Sequence, residues 1–319
     1  MAQLPARVTV YEVGPRDGLQ NEARVVPVDE KLALINALAD AGIRRIEATS
    51  FVSPKWIPQL ADAEQVASGL PAREGLVYSA LVPNVRGLER VSAHPSIQTV
   101  AVFMSSSETH NKRNVNRTIA ESLRGLEEVI PKARQQGLGV RAYVSTVWGC
   151  PYEGAIDPKR ALEICLALYR LGATQISLGD TIGVGTPGQT ARICELFLKS
   201  LPAEAIALHL HDTRGTALAN AVIGLQAGIT TFDSSIGGMG GCPYAPGASG
   251  NLATEDLVYM LQGMEIETGI DMDRLVDAGR LAERVAGHPL PGRYLKAAVA
   301  ERRQKEIKAA RAQLQEGSP

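Results

Sequence analysis

The residues that first suggest chemistry are two histidines one position apart, His209 and His211, in the stretch Ala207-Leu208-His209-Leu210-His211-Asp212-Thr213-Arg214-Gly215. Apolar residues run from Ala205 to Leu210, and the chain breaks at Gly215 before an Ala/Leu-rich segment. That pattern predicts a buried strand, a short loop and a helix start. Side chains alternate along a strand, so both imidazoles point the same way. The chain holds five histidines, and two of them share this face. A pair of core histidines satisfied by neighbours is the plainer alternative. Two imidazoles buried side by side each need a polar partner, however, and one cation serves both. Metal ligation is therefore the reading adopted.

Polar residues at other predicted strand ends extend this chemistry. The first strand is followed by Val13-Gly14-Pro15-Arg16-Asp17-Gly18-Leu19-Gln20-Asn21-Glu22. A solvated turn accounts for that composition, yet Arg16 and Asp17 also supply a cation for a developing oxyanion and a carboxylate for a metal. Glu47 lies in an inward strand position, where a salt bridge to Arg16 and a catalytic role are both open. Asp180 ends Ser177-Leu178-Gly179-Asp180-Thr181. The last strand enters a stretch from Gly237 to Asn251 with six glycines and Cys242 at its centre. Glycine-rich loops are often plain connectors, but this backbone can approach a ligand closely. A thiol there is a candidate acid or base, and the Asn251 carbonyl can complete a metal shell. Gly-Cys-Pro-Tyr occurs at Gly149–Tyr152 as well as Gly241–Tyr244; Cys150 reads as a turn residue, and Cys165 and Cys194 as helix core.

The elements that must position these groups alternate strand and helix. Strand-like runs appear at Val8–Val13, Arg45–Ala48, Leu76–Val82, Ile97–Met104, Val140–Val147, Gln175–Leu178, Ile206–His211 and Thr230–Ser234. Helical patterns lie between them, among them Asp29–Ala41, Arg117–Gln136, Pro158–Leu171 and Pro187–Leu201. Gly42, Gly137, Gly172 and Gly228 each follow a periodic run, as helix-terminating glycines do. Eight such pairs predict an α/β fold, a (β/α)8 TIM barrel with its chemistry at the carboxyl ends of the strands. An open doubly wound sheet would want a Gly-x-Gly-x-x-Gly turn after the first strand, which is absent. The expected organisation is one catalytic domain over residues 1–319. The barrel takes about residues 8–265, and a helical extension about residues 271–315, where Tyr294–Gln315 reads as a charged amphipathic helix.

Composition narrows the partners. The chain is 45% hydrophobic and 21% charged, with a formal net charge of −1. Nucleic acid and anionic membranes would find no strong field on it, and no apolar run reaches membrane-spanning length. Four cysteines without CxxC spacing, and no targeting segment at the start, point to a reduced cytoplasmic protein.

Five stretches together resemble a known family. Val13–Glu22 (VGPRDGLQNE), Ser50–Trp56 (SFVSPKW), Ser177–Gly188 (SLGDTIGVGTPG), His209–Thr213 (HLHDT) and Gly241–Tyr259 (GCPYAPGASGNLATEDLVY) are similar to 3-hydroxy-3-methylglutaryl-CoA lyase, in order over about residues 8 to 265. The last stretch is highly specific; the histidine pair is shared by a wider group of metal-dependent barrel lyases and synthases. The resemblance implies cleavage of a small CoA thioester, 3-hydroxy-3-methylglutaryl-CoA, to acetyl-CoA and acetoacetate with Mg²⁺ or Mn²⁺, a reaction of leucine degradation. It implies metal ligands at Asp17, His209, His211 and Asn251. Arg16 and Cys242 take catalytic roles, with Asp17, Glu47 and His209 beside them, and Arg16, Gln20 and Asp180 contact substrate. A homodimer or higher homo-oligomer is expected. Lys55, Lys112 and Arg113 are charge-based candidates for the nucleotide end of CoA. Three alternatives stay open: a lyase for a longer-branched 3-hydroxyglutaryl-CoA, an acetyl-CoA-dependent condensing synthase, and a non-catalytic metal-binding barrel.

Overall fold

The computed structural model describes residues 4–240 and 250–316. Eight parallel strands close into a barrel in sequence order. They are β1 (Thr9–Glu12), β2 (Arg45–Ser50), β3 (Val77–Leu81), β4 (Ile97–Ser105), β5 (Gly139–Ser145), β6 (Gln175–Asp180), β7 (Ile206–Leu210) and β8 (Thr231–Ser234). Closure runs through β1 and β8, paired from Thr9↔Thr231 to Glu12↔Ser234. Eleven α-helices lie among the described residues. Eight follow the strands up to β8: α1 (Val28–Asp40), α2 (Ala63–Gly69), α3 (Val85–Val91), α4 (Glu108–Val115), α5 (Ile119–Gln135), α6 (Pro158–Leu171), α7 (Pro187–Leu198) and α8 (Ala217–Gln226). Then come α9 (Thr254–Gly263), α10 (Met272–Ala286) and α11 (Arg293–Glu316).

The strands carry two distinct faces. Ile46 and Ala48, Val140, Ala142 and Val144, Ile176 and Leu178, and Leu208 and Leu210 join the core between barrel and helices. The residues between them turn inward, because successive side chains leave opposite faces of a strand. The interior they fill is polar. Arg141 of β5 donates to Asp233 of β8, and Tyr143 of β5 donates to Glu47 of β2 across the barrel.

The helix α6 shows why the outer layer starts and stops where it does. Asp157 accepts the Lys159 N–H at 2.9 Å, and Pro158 takes the first helical position, where its missing N–H costs nothing. Gly172, at φ 112°, closes the other end in a left-handed conformation. Between them Ala161, Ile164, Cys165 and Leu168 form one buried face. Full burial of a side chain such as Leu168 stabilises by roughly 1.5–3 kcal/mol.

The observed boundaries differ from the sequence reading in understandable places. The helix expected from Arg117 begins at Ile119, because Thr118 and Glu121 form a reciprocal cap. Strand β7 stops at Leu210, and His211 pairs with Asn251 in an isolated bridge. The short α4 was not foreseen: its sequence, ETHNKRNV, is polar and has no apolar stripe. It is delimited by its ends, with Ser107 accepting the His110 N–H at 3.1 Å and Asn116 left-handed at φ 54°. At the other terminus α10 packs on α1 and α9, and α11 on α9. Arg293, which opens α11, donates to Asp212 at 2.5 Å, beside His211. Among the described residues no helix is long and apolar enough to cross a membrane.

Candidate active site

The turn after β1 delivers the first two functional groups. Asp17 and Gly18 both direct their N–H groups at the Val13 carbonyl, at 2.7 and 3.3 Å, so Gly14–Gly18 forms one wide helical turn. Gly18 must be small, since a Cβ would stand 2.8 Å from Ser235 Oγ. Arg16 is buried; its Nε donates to Glu47 Oε1 and its Nη1 to Asp17 Oδ1 at 2.6 Å. Tyr143 lies under the guanidinium, 5.4 Å from ring centroid to Cζ, and donates its hydroxyl to Glu47 Oε2 at 2.8 Å. Burial alone would lower the Arg16 pKa, but Glu47 and Asp17 outweigh it and hold the guanidinium charged.

Strand β7 delivers the imidazoles. His209 Nε2 lies 3.2 Å from His211 Nε2 and 3.9 Å from Asp17 Oδ2. The donor atoms of Asp17, His209 and His211 all fall within 4.8 Å of one another. Asn251 Nδ2 donates to Asp17 Oδ2 at 2.8 Å and to the Met239 carbonyl at 3.2 Å, which places this side chain beside the cluster with its amide nitrogen, not its oxygen, toward the carboxylate. Gly240, at φ 105°, packs against this amide, where a Cβ would come within 2.8 Å of Asn251 Nδ2.

The charge states of Asp17 and His211 suit a cation. Burial pushes the Asp17 carboxyl up, but Arg16, both imidazoles and Asn251 outweigh it and hold the group well below the usual carboxylate range. Burial and the neighbouring His209 lower His211 to about 4, so it is neutral and able to ligate. Burial also acts downward on His209, yet Asp233 and Asp17 leave it above the ordinary imidazole value. One carboxylate and two convergent imidazole nitrogens at hydrogen-bond distance make a donor set that fits a divalent metal.

A cavity of about 790 Å³ opens in front of this cluster, walled by Arg16, Asp17, Gln20, His209 and His211. Val52, Leu81, Phe103 and Tyr143 give it an apolar side, and Trp56, Arg113 and Arg117 stand among its lining residues. Lys55 and Lys112 are exposed and are not among them. Asp180 is also set apart. Its carboxylate is fully buried and accepts the N–H groups of Val184 and Gly185, each at 2.9 Å. The cavity is lined instead by its neighbours Gly179 and Thr181. The Asp180 carboxylate thus shapes the turn after β6, and burial raises its pKa to about 6. Glu47 is fully buried too, and it reaches the cavity only through Arg16 and Tyr143. Cys150 is a turn residue as expected, its Sγ accepting from the N–H groups of Tyr152 and Glu153. Cys165 and Cys194 are buried in α6 and α7. Cys242 lies outside the described residues.

Sequence reasoning missed Asp233, Arg141, Ser177 and Tyr143. Asp233 sits beside His209 in the β7–β8 register, with its Oδ2 3.1 Å from His209 Nδ1. The signal was alternation: Gly-Val-Arg-Ala-Tyr-Val-Ser in β5 puts Arg141 and Tyr143 on one face, and Thr-Phe-Asp in β8 puts Thr231 and Asp233 on one face.

Comparison with known proteins agrees with this architecture. The HMGL-like family model matches residues 7–282. The hydroxymethylglutaryl-CoA lyase YngG of Bacillus subtilis is 51% identical over 91% of this chain and 97% of its own. A 3-hydroxy-3-isohexenylglutaryl-CoA/hydroxymethylglutaryl-CoA lyase of Pseudomonas aeruginosa is 47% identical over 93% and 99%. The structure of an HMG-CoA lyase from Acenitobacter baumannii in complex with coenzyme A and 3-methylmalate superposes with a TM-score of 0.88, at 39% identity, covering 93% of this chain and 97% of that one. With its (β/α)8 barrel and clustered carboxylate and imidazoles, the chain belongs to the hydroxymethylglutaryl-CoA lyase family.

Proposed function

We propose that this chain cleaves (S)-3-hydroxy-3-methylglutaryl-CoA to acetyl-CoA and acetoacetate with Mg²⁺ or Mn²⁺ as its cation. The observation that carries the reading is the convergence of Asp17, His209 and His211 beside the Arg16 guanidinium on one cavity wall. Asp17, His209, His211 and the Asn251 carbonyl would hold the cation, which supplies Lewis-acid polarisation and a fixed anchor for a chelating substrate.

The chain's own groups have separable tasks. In the cleavage the tertiary hydroxyl loses its proton, its C–O bond becomes the acetoacetate carbonyl, and the electron pair of the breaking C–C bond passes to the thioester as an enolate. Arg16, fixed by Glu47 and Asp17, faces the cavity as the preorganised charge for that enolate oxygen. Glu47 and Tyr143 position Arg16. Two proton transfers remain, one from the hydroxyl and one to the enolate carbon, and we assign one of them to the Cys242 thiol. Gln20, on the cavity wall, is a substrate contact.

A larger 3-alkyl branch is a second reading of the same site. It is favoured by a separate apolar cluster of Leu81, Ala101 and Tyr143 with Val52 and Phe103, on the β3–β5 side of the barrel mouth. The name of the Pseudomonas aeruginosa relative includes such a substrate. Purified protein given 3-hydroxy-3-methylglutaryl-CoA and Mn²⁺ should release acetyl-CoA and acetoacetate in equal amounts. Condensation of acetyl-CoA with a 2-oxo acid, without that cleavage, would move the chain to the synthase reading. A kcat/KM for a 3-isohexenyl analogue within tenfold of the methyl substrate would support the second reading.

A further inference from the structure

The geometry points to Asp233 as a positioning residue for His209: it holds the ring in the orientation and tautomer that present Nε2 to the cation, and Arg141 and Ser177 hold Asp233. This rests on the reading of His209 as a metal ligand. Asp233 of β8 is the strand partner of His209 of β7, so the two side chains leave neighbouring strands at one level and on one face. His209 Nδ1 then lies 3.1 Å from Asp233 Oδ2. An ionised carboxylate only accepts hydrogen bonds, so a proton sits on Nδ1, and in the neutral ring that leaves the lone pair on Nε2. Nε2 is the atom that faces His211 and Asp17.

Asp233 is itself fully constrained. Ser177 Oγ donates to Oδ2 at 2.8 Å, and Arg141 Nη2 donates to Oδ1. Arg141 is buried in the barrel interior, 3.9 Å from the Tyr11 ring centroid, with Nη1 donating to Gln175 at 2.7 Å. A buried carboxylate needs such a counter-charge to stay ionised. The row Arg141–Asp233–His209 thus runs from the closed interior of the barrel to its mouth. A carboxylate behind a ligating histidine raises the basicity of the ligand and removes the entropy of ring rotation, and loss of such a partner typically costs about 10–100-fold in metal affinity.

The test measures metal binding without turnover. Wild-type protein, Asp233→Asn and Ser177→Ala are stripped of metal and titrated with Mn²⁺ by calorimetry, with folding checked by circular dichroism. Histidine-labelled samples are examined by ¹H–¹⁵N NMR for a protonated Nδ1 on His209. The expected result is Mn²⁺ affinity about 10–100-fold weaker in Asp233→Asn, with the Nδ1–H signature lost. Ser177→Ala, which keeps the carboxylate and drops one donor to it, should weaken binding by a smaller factor. It also keeps the test decisive if Asp233→Asn does not fold. A merely structural Asp233 would lower the melting temperature and leave Mn²⁺ affinity within twofold of wild type, and that outcome overturns the proposal. Wild-type protein that binds no Mn²⁺ would overturn the ligand reading on which it rests, whereas loss of binding in Asp233→Asn alone separates the two.

Discussion

Replacing Arg16 with Gln should damage the protein in two separable ways. The first is a stability cost that can be worked from its partners. Glu47 is fully buried and is left with the Tyr143 hydroxyl once the guanidinium is gone. Removing one member of a buried ion pair costs about 3–5 kcal/mol because the other charge is stranded. At a few degrees per kcal/mol for a chain of this size, Tm should fall on the order of 10 °C. The second is catalytic: losing a preorganised charge at a developing oxyanion costs ~10²–10³ in kcat, with a smaller change in KM. A second substitution separates them. In Arg16→Gln/Glu47→Gln the stranded carboxylate is gone, so most of the lost Tm should return while kcat stays low. Arg16→Lys keeps the charge without the planar fork and should recover part of the rate. The assay is kcat and KM at saturating metal, beside thermal melts of all three variants. A double variant that regains both Tm and kcat would show that Arg16 is a strut for Glu47 and Asp17, and the catalytic assignment would fall.

Two further outcomes follow from the thiols and from a buried acid. Iodoacetamide should label Cys242 before Cys150, which is buried and engaged with Ser107, Tyr152 and Glu153; Cys242→Ser should lose most activity and Cys150→Ser little, and the reverse ranking would place the reactive thiol in the loop after β5. Glu255, fully buried beneath the turn after β8, accepts the Gly237 N–H at 2.7 Å, and burial raises its carboxyl to about 8, with Glu12 and Asp256 adding to the effect. Its folded pKa lies above the unfolded value of 4.5, so the unfolded chain releases this proton first as pH rises. The folded state keeps it, and stability should fall between about pH 4.5 and 8. Glu255→Gln should make that fall shallower in urea melts across the window, and identical slopes would refute the assignment.

Much of this was legible in the sequence because barrel strands carry their own address. The order of strands, the glycines that end helices and the residues just past each strand all follow from local pattern. Arg16, Asp17, His209, His211 and Asn251 were picked by position alone and do meet in space. Asp180 occupies the same kind of position, and its carboxylate accepts the N–H groups of Val184 and Gly185. A carboxylate at a strand end can equally turn back onto the N–H groups of its own loop, and local sequence does not distinguish the two. Arg141 and Asp233 were missed for the opposite reason. They lie at strand interiors, where a charge is expected to be excluded, and each is tolerable only because the other stands across the barrel. That pairing joins residues 92 positions apart and leaves no trace in spacing.

The most direct test of the account is turnover of 3-hydroxy-3-methylglutaryl-CoA by wild-type protein and by His209→Ala, each measured chelated and then chelated and resupplied with Mn²⁺. The account predicts that chelated wild-type protein is inactive and that Mn²⁺ restores equal release of acetyl-CoA and acetoacetate. Folded His209→Ala should stay inactive at the Mn²⁺ concentration that saturates wild type. Full turnover by verified metal-free protein, or by His209→Ala at that concentration, would contradict it.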